Sequence, residues 1–173
     1  MIKNIEFVGK RNTDKINKIE NPIRKDSEKW NFNDTMYTYN KQLEIINKLY
    51  LDNDVEDTDM CVKREIEKKL KGYKNQDIKK KIINDIKFIS LSETIEMLMV
   101  SKLNCFYCRN VCELIYKQIF AKKQWTLDRI NNNNGHNNDN VVICCYECNI
   151  KRGNMDINRF KKGKQIKIVR KLF

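Results

Sequence analysis

The chain has one proline, five glycines and one histidine in 173 residues, and no apolar run of membrane-spanning length. Scarce proline, together with 34 per cent charged residues, points to elements that are mainly helical under a wet surface. The missing apolar run argues against a membrane protein. An N-terminus without an apolar signal segment argues for an intracellular protein that is not secreted, in the host cytoplasm or nucleus if the source is viral. Gly/Ser-rich linkers and internal repeats are also absent, so the boundary near residue 100 is a change of composition and not a hinge.

Hydrophobic residues make up 40 per cent of the chain, enough for a real core in one domain of ordinary size, or in a small domain with a helical arm. The net charge is +12, and it is unevenly spread. After residue 100 there are 15 Lys and Arg against 5 Asp and Glu; before it, 20 against 18. A basic segment of this kind favours nucleic acid as partner through counterion release, with an affinity that falls as salt rises. The excess of Lys, Asn and Ile, all with AT-rich codons, hints at a viral or phage source.

Residues 1–28 are polar and mixed in charge, with Pro22, and read as an irregular lead. Helical signals follow over 29–100. Asp34 can cap a stripe of Met36, Tyr39, Leu43, Ile46, Leu49 and Tyr50, stapled by Trp30 and Phe32. A second helix follows Asp57 or Thr58, with Cys61, Val62, Ile66 and Leu70 inward and Gly72 as its stop. A third is expected over about Gln76 to Phe88, with Ile78, Ile82, Ile83 and Ile86, and a fourth from a Ser92 cap to Lys102. Val111 to Phe120 is ambiguous between strand and helix. Asp156 can cap a last, basic helix, whose charges suit a phosphate-contacting arm or a solvated face equally well.

Between these helices stand two pairs of cysteines, Cys105 with Cys108 and Cys145 with Cys148. A two-residue spacer lets a tight turn aim both sulfurs at one point, and four thiolates make a closed tetrahedral zinc site. Such a site has no open position, so this zinc is structural and any chemistry belongs elsewhere. Cys112 and Cys144 sit beside better-spaced pairs and read as buried free thiols, and Cys61 as helix core. Trp125 to Ile130 alternates as a strand, Asn131 to Asn138 is a turn-rich loop, Asn140 to Cys144 is a second strand, and Cys145 to Met155 suits a helix.

Taken in order, these residues resemble the HNH endonucleases of the ββα-metal fold, in the four-cysteine, zinc-bound form of phages and large DNA viruses. The motifs are Asp128 to Asn131, Gly135 with His136, Asp139 to Val142, and Cys145 to Arg152, within a resemblance that covers about 100 to 170. It implies a zinc-stabilised HNH domain, 101–173, with a basic C-terminal helix; the apolar stripes of 29–100 add an N-terminal helical region packed on it, for an α+β chain. It also implies a metal-dependent endonuclease that hydrolyses DNA phosphodiester bonds from the minor groove. Asp128 matches the strand carboxylate that binds catalytic magnesium or manganese, and Asn149 the helix residue that completes that site. Oxygen ligands suit such a hard cation. Asn140 matches the asparagine that braces the loop and orients the base.

One position departs from the pattern. Where the commonest form of the family has a histidine as general base, this chain has Arg129, which stays protonated and can only neutralise phosphate. His136, the sole histidine, is one candidate base, and water activated by the cation is the other route. Lys151, Arg152, Arg159, Lys161, Lys162 and Lys164 are candidate nucleic-acid contacts, with a solvated helix face as the plainer reading. The plainer reading, which the family positions make the weaker one, is that Asp128 caps the Asn-rich turn and that Asn140 and Asn149 satisfy loop carbonyls. Arg129 also keeps alive a second function, a zinc-dependent nucleic-acid-binding protein without catalysis, such as a viral transcription or packaging factor. A zinc module for protein contacts fits the charge asymmetry less well.

Overall fold

Apolar residues three and four apart set the first helices against each other. A computed structural model describes residues 9, 10, 13, 16, 30 and 32–166; the polar lead expected over 1–28 falls largely outside these, as does the basic tail from 167. Asn33 caps a short 3₁₀ turn, Asp34–Tyr37, by accepting from the Met36 N–H at 3.3 Å. Helix α1, Tyr39–Leu51, buries Gln42, Ile45, Ile46 and Leu49, while Tyr39 and Tyr50, expected inside, are exposed. Gln42 is buried because it is fully used. Its Oε1 accepts from the Leu114 and Ile115 amides at 2.5 and 3.2 Å, and its Nε2 donates to the Tyr37 carbonyl at 2.9 Å.

Helix α2 runs over Asp57–Lys80, started by a capping box between Glu56 and Asp59. Neither the stop at Gly72 nor the separate helix over Gln76 to Phe88 occurs. A lone glycine costs a helix only about 1 kcal/mol, and the buried Leu70, Tyr73 and Asp77 around it outweigh that. The helix ends where Lys81 turns left-handed at φ 57°, and residues up to 88 form turns and a bridge, with Ile86 97% exposed rather than in the core. Helix α3, Leu91–Val100, is capped by Ser90 instead of Ser92. Ser90 sits three residues before Glu93, so its hydroxyl accepts from the Glu93 N–H at 3.2 Å while the Glu93 carboxylate accepts from the Ser90 N–H at 2.8 Å.

Strands β1, Trp125–Arg129, and β2, Val141–Cys145, pair antiparallel with Leu127 opposite Ile143 and Asp128 opposite Val142. Helix α4, Tyr146–Arg152, follows β2 directly, and α5, Ile157–Gln165, starts at an Asp156 cap. The ambiguous stretch Val111 to Phe120 forms neither helix nor strand, only isolated bridges such as Asn104 with Val111. The result is a mixed α+β chain whose buried cluster is continuous from Ile45, Val62 and Leu98 to Trp125, Leu127, Ile143 and Phe160. No helix among the described residues is long and apolar enough to cross a membrane.

A two-stranded sheet leaves β1 with an open edge, and α2 covers it. Lys69, Tyr73 and Asp77, four residues apart, share one face of that helix. Lys69 donates to the Trp125 carbonyl, the Tyr73 hydroxyl accepts from the Leu127 N–H at 3.1 Å, and Asp77 reaches the loop between the strands.

Candidate metal centre and cleft

Two turns and one helix start bring four sulfurs together. Cys105 and Cys108 lie in the turn after α3, where the Phe106 N–H donates to the Ile143 carbonyl at 2.9 Å and so ties the turn to β2. Cys145 ends β2 and is the N-cap of α4, and Cys148 is in that helix. The four Sγ atoms lie within 4.8 Å of one another, with Cys108 and Cys145 3.9 Å apart. Zinc–sulfur bonds of about 2.3 Å in a tetrahedron put sulfurs about 3.8 Å apart, so the cluster can hold a structural metal such as zinc. Cys112 and Cys144 are buried free thiols outside the cluster, and Thr126 Oγ1 lies 3.2 Å from Cys144 Sγ. Cys61 is only partly buried on α2.

Beside the cluster, Asp128, Arg129, His136 and Asn149 line one cleft of about 280 Å³, together with Tyr73, Gln76 and Lys80 from α2. Register decides which side chains arrive there. Asp128 is buried, and both of its oxygens are engaged: Tyr107 Oη donates to Oδ2 at 2.5 Å and Arg152 Nη1 to Oδ1 at 2.7 Å. Burial pushes its carboxyl above the ordinary range, and those two donors oppose the shift. Asn149 donates through Nδ2 to Thr126 Oγ1 and the Leu127 carbonyl, at 3.1 and 3.3 Å, which leaves its Oδ1 without a partner among the described residues. A carboxylate offers about four lone-pair sites, so Asp128 and Asn149 each keep an oxygen donor of the kind a hard cation takes.

Asn140 does not line the cleft; it closes the loop behind it. Its Oδ1 accepts from the Asn131 N–H at 2.9 Å, and its Nδ2 donates to the Asn131 and Gly135 carbonyls at 3.0 and 2.9 Å. His136 is 3% exposed and pairs with Asp77, its Nδ1 2.8 Å from Oδ1. Burial lowers the imidazole pKa, Asp77 raises it, and Arg129 and Lys80 lower it. Arg129 Nη1 donates to the Asn132 and Asn134 carbonyls at 3.4 Å each.

A second cleft of about 590 Å³ adjoins the first, with Lys80, Arg129, Asn132 and Asn154 lining both. The basic residues expected to meet nucleic acid differ in their surroundings. Arg152 is buried, not on the surface: besides Asp128 it donates to the Arg129, Ile130 and Met155 carbonyls at 2.8, 3.1 and 3.1 Å. Lys151 pairs with Glu147 at 2.7 Å, and Lys161 and Lys164 lie over the Phe106 and Phe160 rings, whereas Arg159 and Lys162 are open to solvent.

Sequence reasoning missed Tyr107, Tyr73 and Asp77. The four-residue spacing of Tyr73 and Asp77 puts them on one helix face, but a helix stop at Gly72 hides it. Comparison with protein-family models, curated proteins and solved structures yields no match.

Proposed function

We propose that the chain is an HNH-type, divalent-metal-dependent endonuclease that hydrolyses DNA phosphodiester bonds, with zinc on Cys105, Cys108, Cys145 and Cys148 stabilising a ββα-metal unit from β1 to α4. What carries the reading is the meeting of Asp128, Arg129, His136 and Asn149 in one cleft beside the thiolate cluster. Asp128 and Asn149 would hold the magnesium or manganese ion, which when bound withdraws charge from the scissile phosphate. His136 takes the proton of the attacking water, the water oxygen bonds to phosphorus, and the P–O bond to the leaving sugar oxygen breaks, that oxygen taking a proton from solvent. Arg129 neutralises charge on the phosphate. Asn140 keeps the loop closed so that His136 stays aimed. Arg159 and Lys162 are free to meet DNA phosphates, as are Lys151, Lys161 and Lys164 once they leave their present partners.

A second reading has its own support. Because Arg152 and Tyr107 already satisfy Asp128, the carboxylate can be a structural anchor in a protein that binds nucleic acid without cutting it. Supercoiled plasmid with purified protein, with and without magnesium or manganese, separates the two. Nicked or linear product that needs the cation and disappears in Asp128→Asn, while a gel shift persists, is the expected result. Plasmid that is bound but stays intact with either cation over a broad pH range leaves only the binding protein.

A further inference from the structure

The residues around the cysteines do not explain what holds His136 in place. Its support comes from α2, 59 residues earlier in the chain. Asp77 is fully buried, and each of its carboxylate oxygens has a partner on His136: the backbone N–H donates to Oδ2 at 2.6 Å, and Nδ1 lies 2.8 Å from Oδ1. The Tyr73 ring packs on the imidazole with centroids 4.5 Å apart. The approach is tight at the next residue too, since a Cβ on Gly135 would fall 2.8 Å from both Asp77 Oδ2 and the Ile82 carbonyl.

Resting on the nuclease reading above, we propose that Asp77 is a positioning residue for hydrolysis, fixing His136 as the Nδ1–H tautomer so that Nε2 is the proton acceptor in the cleft. One Asp77 oxygen accepts the His136 backbone N–H and the other faces Nδ1, so both point at His136 as acceptors and Nδ1 is the ring nitrogen placed to donate. The basic lone pair is then on Nε2, which has no partner among the described residues. A base held by a third group is the general pattern of activated nucleophiles, and here that group comes from outside the strand-loop-strand-helix unit. The helical region thereby becomes part of the active site instead of a scaffold beside it.

The charged and titratable groups around the imidazole and its cleft are Asp77, Tyr73 and Lys80 from α2 and Asp128 and Arg129 from β1. Of these, Asp77 is the one hydrogen-bonded to the ring, and it favours the protonated form while Arg129 and Lys80 oppose it. Replacing it with asparagine therefore moves His136 protonation to lower pH, even as it frees the tautomer and slows the reaction.

The first test needs no variant. His136 is the only histidine, so ring-¹⁵N-labelled full-length protein gives one imidazole spectrum. At neutral pH it should report Nδ1–H and a bare Nε2; an Nε2–H tautomer overturns the proposal whether or not the protein cuts DNA. The second arm compares wild type with Asp77→Asn on supercoiled plasmid in manganese. We expect kcat to fall by about 10²–10⁴-fold with KM little changed, and the acidic limb of the pH profile to move down. Adding Asp77→Asn to His136→Ala should cost nothing further. Wild-type rate and pH profile in Asp77→Asn overturn the role of Asp77; if that variant does not fold, the wild-type tautomer decides. Should the Nδ1–H tautomer be present while wild type cuts no plasmid, the nuclease reading itself falls, and the proposed use of the pair falls with it.

Discussion

Arg152 shows how much one side chain can decide. Its guanidinium is the only charged partner of buried Asp128 among the described ion pairs, and it also serves three backbone carbonyls. Removing one half of a buried pair strands the other, so Arg152→Ala should cost about 3–5 kcal/mol in urea unfolding, against less than about 0.5 kcal/mol for exposed Lys162→Ala. The same logic makes Asp128→Asn, which still accepts from Arg152, a cleaner catalytic test than Asp128→Ala. His136 carries a pH dependence of opposite origin. Burial holds its folded pKa below the ordinary 6.5, so the unfolded chain takes up the proton first as pH falls. Its contribution to stability is complete above about pH 6.5 and is lost as pH drops through the lower folded value. Chemical denaturation at stepped pH should show wild type weakening through that window more steeply than His136→Gln.

Helix α2 is where reading the sequence and reading the structure part company. The strands and the cysteine pairs are legible because alternation and a two-residue spacer are local patterns, and the four expected thiols do come together. A helix end is not so local. Gly72 looks like punctuation, yet nothing lies within 4 Å of a Cβ placed there, and the flanking burial carries the helix on. Misplacing that end hides Tyr73 and Asp77, the two residues that meet His136. Arg152 misleads for a different reason: charge alone suggests a surface, whereas its five donors found four acceptor groups inside. The two glycines give a paired prediction in thermal melts. Gly72→Ala should stabilise by about 0.5–1 kcal/mol, as expected for an open helix interior. Gly135→Ala should destabilise by about 1–3 kcal/mol, because it overpacks against Asp77 and Ile82.

At the scale of the whole molecule, the four-cysteine cluster links the turn after α3 to the junction of β2 and α4. Metal analysis should find about one zinc per chain, and Cys148→Ser or a strong chelator should unfold the strand-helix unit, since binding and folding of such sites are one equilibrium. Folded protein without metal, in the native range of conditions, would sink this. The spacing of the ligands also has a consequence for synthesis. Cys108 and Cys145 are 37 residues apart, so at ordinary translation speeds the second pair leaves the ribosome roughly 2–7 s after the first. Until then the emerging chain has α2 with its Asp77 and half a ligand set, but no β2, no α4 and no closed loop around His136. The cleft lined by Asp128, His136 and Asn149 is therefore a late product of synthesis, assembled only after the second cysteine pair has emerged.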